Sequence, residues 1–349
     1  MPSRILSSLA LPIVQAPMAG VQGSALACAV MEAGGLGSLP CAMLGAEALQ
    51  AELEILSARA AQLGRPWNLN FFCHTPPVPD AAREAAWRAS LAPYYAEFGI
   101  DPAVEPPVAN RAPYTAEVAA RIAPFRPPVV SFHFGLPAAD LVAQVKGWGG
   151  EVWSTATTVE EAVWLEAHGA DAVIAQGLEA GGHRGHFLSD DLTRQMGTFA
   201  LLPQVVQAVR VPVVAAGGIA DAAGVAAARA LGAAAVQVGT AYLLCHEATT
   251  TPLHRAALQS PRAAHTALTN LITGRPARGI VQRLMQERGP LGDAPAFPLA
   301  GTALGPLRTA AERAGQDGFS TLWAGQNTRG CRGVGAGEIT RGLAEGIAV

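Results

Sequence analysis

Eight times along the chain a short apolar, β-branched run gives way to an Ala-rich stretch with helical spacing. The runs are "PIVQAPM" (12–18), "LGSLP" (36–40), "WNLNFF" (67–72), "VVSFHFG" (129–135), "EVWSTATT" (151–158), "DAVIAQG" (171–177), "PVVAAGGI" (212–219) and "AAVQVGTAYL" (234–243). Strands separated by helices need crossover connections and therefore pair in parallel. Eight such units close on themselves, so the sequence predicts an α/β fold, a (β/α)8 TIM barrel, and 349 residues suffice for one. A representative helix, "TVEEAVWLEAHGA", sets Val159, Ala162, Val163 and Leu165 near one face and stops at Gly169.

Two stretches break the repeat. Residues 75–113 are Pro-rich around a helical piece, "AAREAAWRASLAPYYAEFG", and residues 246–314 read as helical with Pro and Gly breaks. Both are too long for plain connections. Following the third and eighth strands, they emerge at the C-terminal mouth and are expected to roof it as helical lid insertions. The expected division is a barrel of 1–245 with 315–349, carrying 75–113 as a lid, and a helical substrate or lid region at 246–314.

Charge and cysteine usage exclude several classes. A net charge of −3, with Lys146 the only lysine and no basic block, argues against nucleic acid. The five cysteines are scattered and never spaced C-x-x-C, so a disulfide framework or zinc site is not expected and a reducing cytoplasm is. The opening "MPSRILSSLALPIVQAPMAG" is broken by Pro12, Gln15 and Pro17 and reads as a strand, not a leader. No apolar run approaches the ~18 residues that cross a bilayer. No H-E-x-x-H, G-x-S-x-G or P-loop pattern is present, and no metal is expected.

In a barrel of this kind the chemistry collects where strands end. "VVAAGGIADAAG" places Gly217 and Gly218 before a helix capped by Asp221, and "VQVGTAY" places Gly239 and Thr240 after the last strand. Adjacent glycine loops there suit a phosphate, although each could be a tight turn. Gln15, Asn70, Gln176 and Gln237 are amides in strands that are otherwise apolar. Four buried amides around one ring suggest a polar, uncharged ligand edge, the character of a flavin with its ribityl chain. "QGLEAGGHRG" (176–185) then supplies His183, a group that titrates near neutrality, behind Gly181 and Gly182. His133, between two phenylalanines, is expected to line the pocket. Glu179 and Arg184 are read as pairing with each other or with a neighbouring loop.

Taken together, "PIVQAPMAG", "NLNFF", "SFHFG", "QGLEAGGHRG", "VVAAGGIADAAG" and "VQVGTAYL", extended by "GRPARG" (274–279) and "LWAGQ" (322–326), resemble the nitronate monooxygenase family. The resemblance implies a barrel that binds FMN without covalent attachment. It puts Asn70, Gln176, Gly181, Gly182, Gly217, Gly218 and Gln237 at the cofactor, and the phosphate at Gly239, Thr240 and Ala241. Ala16, Pro17 and Met18 would lie along the ring, and His183 would be catalytic. The implied reaction converts an alkyl nitronate, such as propionate 3-nitronate, with O2 to a carbonyl compound and nitrite through a flavin semiquinone. A protonated His183 would hold the nitronate; a neutral one would deprotonate a nitroalkane. Two alternatives stay open: an FMN-dependent NAD(P)H:quinone or enoyl-thioester reductase, and a non-catalytic flavin-binding barrel. A monomer or homodimer is expected.

Overall fold

The computed structural model describes residues 3–101 and 111–347. Residues 102–110 of the insertion read as a lid lie outside the described residues. Strands β1 (Ile13–Gln15), β2 (Gly37–Pro40), β3 (Trp67–Phe72), β4 (Val129–His133), β5 (Glu151–Ala156), β6 (Ala172–Gln176), β8 (Val213–Ala216) and β9 (Ala235–Val238) pair in parallel in the order β1-β9-β8-β6-β5-β4-β3-β2. The two ends meet through a parallel bridge between Val14 and Leu36, with Gln15 N donating to Leu36 O at 2.9 Å. The ring is therefore closed, as a (β/α)8 barrel, and each of the eight sequence runs supplies one of its strands. Strand β9 stops at Val238, short of the run read from sequence, because Gly239 turns the chain into a 3-10 turn at Thr240–Tyr242.

Helices between the strands cover the ring. Helix Ser24–Ala33 lies so close to β2 that a Cβ on Gly37 would sit 2.1 Å from Ala27 O, which restricts that position to glycine. Helix Ala222–Ala230 begins as expected, with the Asp221 carboxylate accepting from Gly224 N at 2.8 Å. Inside the ring, Val14, Leu36, Val129, Trp153, Ile174 and Val214 form a packed core. The short helix Arg4–Ser8 inserts Ile5 into that core and closes the end opposite the mouth.

A second sheet joins β7 (Gly182–His183), β10 (Thr266–Thr269) and β11 (Ala277–Ile280) in the order β10-β11-β7. The segment 246–314, read as helical, thus contains an antiparallel hairpin as well as helices Pro252–Leu258, Arg283–Arg288 and Ala300–Arg313. The physical reason lies in "TALT" and "ARGI", whose short β-capable runs flank a Gly-Pro break. Helices Ala81–Ser90 and Ala92–Glu97 of the earlier insertion pack on Ala300–Arg313 through Trp87, Leu91, Tyr95, Leu304 and Leu307. The two insertions form one apolar unit, reinforced by Arg283, whose guanidinium pairs with Glu97 at 2.6 Å.

The floor of the barrel depends on one buried carboxylate. Glu151 accepts from Ser3 Oγ at 2.6 Å, Ile5 N at 3.1 Å and Trp153 Nε1 at 3.0 Å. Glu151→Leu strands all three donors and is expected to cost about 1–3 kcal/mol. Urea unfolding reads that loss, and limited proteolysis should cut the amino terminus faster; an unchanged midpoint contradicts the assignment.

Candidate active site

The loop after β6 returns across the mouth and pairs with the inserted hairpin. Strand β11 lies antiparallel to β7, with Ala277 opposite His183 and Arg278 opposite Gly182. Gly182 takes φ +72°, the left-handed region that glycine enters without strain, and turns His183 onto the mouth. Three side chains fix the turn. Gln176 donates from Nε2 to His183 O at 3.0 Å and accepts at Oε1 from Gly185 N at 2.9 Å. His133 Nε2 also bonds His183 O, at 3.1 Å. Arg184, fully buried, donates to Gln195 Oε1, Gly177 O and Gln176 O, each at 2.7 Å.

Of the two pairings open to Glu179 and Arg184, the structure shows the second: Glu179 accepts from Thr198 N at 2.8 Å and Thr198 Oγ1 at 2.9 Å, at the start of helix Thr198–Ala208. Gly181 lacks a side chain because a Cβ there would meet Gly325 N at 2.5 Å, so its close neighbour in the chain is the 322–326 segment.

The His183 ring stands in an aromatic enclosure. Ring centres of Phe297, Trp323, Phe134 and Phe72 lie 5.3, 5.6, 6.1 and 6.4 Å away. Its Nε2 bonds Thr273 Oγ1 at 2.8 Å. Burial, followed by the nearby His133 and Arg275 charges, holds its pKa well below the ordinary histidine value. His133 is pushed down to about 3, by burial first, and bonds Thr155 Oγ1 through Nδ1. It stands beside the His183 backbone as a neutral ring. His74, packed at 4.9 Å on Phe297, is lowered to about 4 by burial and the Arg275 charge. Thr273, Arg275, Phe297 and His74 were not picked out from sequence. The hairpin brings the first three across some 90 residues or more of chain, and only the "GRPARG" string hinted at them.

The amides divide into two kinds. Gln15 is consumed internally: Nε2 donates to Gln22 Oε1 at 2.6 Å and Oε1 accepts from Ser38 N at 3.0 Å. Its reading as part of a ligand edge is therefore corrected. Asn70 ties Nδ2 to Ser131 Oγ at 3.0 Å, which leaves Oδ1 for another donor. Gln237 Oε1 is buried without a partner. Strand register sets Gln176 and Gln237 on one level, either side of Ala216.

Beside Gln237 the chain leaves backbone donors open. The N–H groups of Gly217, Gly218, Gly239, Thr240 and Ala241 donate to nothing among the described residues. Gly217 and Gly218 take φ +112° and +75°. Gly239 lies against the end of β1: a Cβ on it would be 3.3 Å from Ala16 Cβ and 3.5 Å from Met18 Sδ. Ala16, Met18, Gly239, Thr240 and Ala241 are thus brought together, with Pro17 between the first two. A groove of about 420 Å3 opens beside Gly218, lined also by Glu179, Asn327, Thr328 and Arg329. Clustered free N–H donors of this kind receive an anion.

The buried histidines make stability depend on pH. His74, His186 and His254 are buried, with pKa values lowered to about 4, about 3 and about 4, chiefly by burial. Their stabilising contribution is complete above the unfolded value near 6.5 and is lost as pH falls towards the folded values. Each withheld proton steepens the loss by up to about 1.4 kcal/mol per pH unit. Chemical denaturation at about pH 7.5 and about pH 5 should show a large drop in midpoint; equal midpoints contradict buried, neutral histidines.

Comparison with known proteins places this arrangement. The family model described as nitronate monooxygenase matches residues 3–346. A nitronate monooxygenase of Pseudomonas aeruginosa is 44% identical over 341 residues, covering 96% of this chain and 95% of that one. The Paraburkholderia phytofirmans nitronate monooxygenase is 42% identical over 339 residues, covering 95% and 91%. The solved nitroalkane oxidase of Streptomyces ansochromogenes superposes with a TM-score of 0.88 at 41% identity, covering 98% and 97% of the two chains. A match of this depth over nearly the whole length makes the chain a member of the nitronate monooxygenase family of oxidoreductases.

Proposed function

We propose that this chain is an FMN-dependent nitronate monooxygenase that converts alkyl nitronates, with O2, to a carbonyl compound and nitrite. The observation that carries the reading is a neutral, aromatic-walled His183 on the same barrel mouth as a cluster of free backbone N–H groups. The residues present fit FMN. Gln237 Oε1, buried and without a partner, needs a donor, and the open N–H groups of Gly217, Gly218, Gly239, Thr240 and Ala241 need an anion such as a phosphate. Asn70, Ala16, Pro17 and Met18 complete the residues that would hold the cofactor, with Gly181 and Gly182 at the His loop. Gln176 takes a smaller part there, since one Nε2 hydrogen and Oε1 already hold the loop. FMN, when bound, supplies the electron acceptance and the reaction with O2 that no side chain here provides.

The protein's own part is binding, orientation and proton handling. A His183 held neutral by burial is a base, so it takes a proton from a nitroalkane that arrives uncharged. Thr273 Oγ1 fixes one ring nitrogen, and the paired β7–β11 backbone fixes the ring's place. Phe72, Phe134, Phe297 and Trp323 keep water from the reacting atoms. The five cysteines are all free, which suits the cytoplasm.

Purified yellow protein should release nitrite and consume O2 when given a nitronate. His183→Asn should keep its flavin and lose about a hundredfold or more of nitroalkane oxidation, with a smaller loss on preformed nitronate. Full activity in that variant removes the base assignment. Rapid anaerobic bleaching by NADPH would favour a reductase, and a colourless chain that takes up no FMN would overturn the cofactor.

A further inference from the structure

A neutral His183 leaves a gap in the proposed reaction, because a nitronate is an anion and the imidazole brings no charge to it. The hairpin supplies one. Pro276 O accepts from Arg184 N at 2.8 Å, immediately after His183 in β7, so the chain entering β11 runs alongside the histidine and brings Arg275 with it. The Arg275 guanidinium lies 4.2 Å over the Phe134 ring, and one of its terminal nitrogens donates to His186 O. Phe134 faces His183 and Phe297 as well, so the cation and the histidine share one wall. Thr273 links them further: its Oγ1 bonds His183 Nε2 at 2.8 Å and lies 3.4 Å from Arg275 O.

What Arg275 lacks is a bonded counter-ion. Among the described residues no carboxylate pairs with it. Asp190 and Glu161 act on it only through space: Glu161 accepts from Thr157 Oγ1 and from Phe187 N, and the exposed Asp190 carboxylate stands 3.4 Å from the neutral His186. Arg275 Nε is buried without a partner. A largely buried guanidinium with no bonded carboxylate and an unused donor is costly unless an anion joins it. Its planar fork suits a planar, delocalised oxyanion better than a point charge would.

We propose that Arg275 is the anion anchor of the substrate site, binding the oxygens of a planar oxyanion of the nitronate type beside His183. The inference rests on the proposed reaction for its substrate and divides the labour: Arg275 holds the charge and His183 handles the proton. Neutral His74, with its buried Nδ1 unpartnered, also packs on Phe297 and adds polarity without charge.

The test uses flavin-loaded protein and inorganic nitrate, a planar oxyanion that the reaction cannot oxidise. Calorimetry should detect nitrate binding, competitive with nitronate turnover. Arg275→Met should weaken nitrate at least tenfold and raise KM for nitronate by a similar factor, with a smaller change in kcat. Arg275→Lys should recover part of the loss. Nitrate affinity within twofold of wild type in a folded, flavin-loaded R275M overturns the proposal. Should R275M not fold, R275K decides: a loss of threefold or more supports the fork, and an unchanged affinity overturns it. Wild-type protein that binds nitrate through Arg275 but releases no nitrite from a nitronate would sink the proposed reaction and leave the anchor standing.

Discussion

The His183 loop depends on a buried cation. Arg184 is fully buried, and burial, then the neighbouring Arg278 charge, brings its pKa down to about 9, so it stays charged at neutral pH. A guanidinium so placed is tolerable only when its donors are filled. Two carbonyls at the end of β6 and the Gln195 amide fill them. Those same carbonyls belong to the turn from which the chain doubles back to His183. The energetic demand of Arg184 therefore fixes the path of the loop, and Gln176 and His133 then hold the His183 carbonyl from two further directions. The histidine is held by its backbone, which leaves both ring nitrogens for chemistry and for Thr273.

The barrel was legible because its signal is local and repeated. Each strand run is apolar on both faces and each helix ends in a recognisable stop, so strand existence survives errors of a residue or two at the ends. The glycines at the last two strand ends were legible for the same reason: Gly217, Gly218, Gly239 and their neighbours stand in consecutive βα loops. What the sequence concealed was long-range. Nothing local in "TALT" or "ARGI" says that they form a hairpin whose second strand pairs with a two-residue strand near His183. Gln15 misled in a related way. A buried amide announces a close neighbour, but whether that neighbour is ligand or protein is decided by the fold, and here it is Gln22 with Ser38.

Electrostatically the mouth is one-sided. His74, His133, His183 and His186 all feel the Arg275 charge, and each is driven towards its neutral form by burial first and by that charge after it. A positive charge among bases has two effects with one cause. It lowers the proton affinity of every imidazole nearby, which keeps His183 neutral. It also makes the enclosure attractive to an anion, and an arriving anion would raise those same proton affinities again. Under the proposed reaction substrate charge and base strength would be coupled, because an anion beside Arg275 would raise the proton affinity of His183.

The division between barrel and insertions follows from this coupling. The open N–H groups and the orphaned Gln237 acceptor belong to strand ends of the ring, where geometry is fixed by eight-fold closure. Thr273, Arg275, Phe297 and Trp323 come from the hairpin and the segments that follow it, which rest on the ring through β7 and on the other insertion through the Trp87 and Leu304 core, while Phe72 and Phe134 complete the wall from the ring. The His183 loop joins the two parts, because β6 launches it and β11 receives it. Movement of the hairpin would be felt at His183 through that two-residue strand.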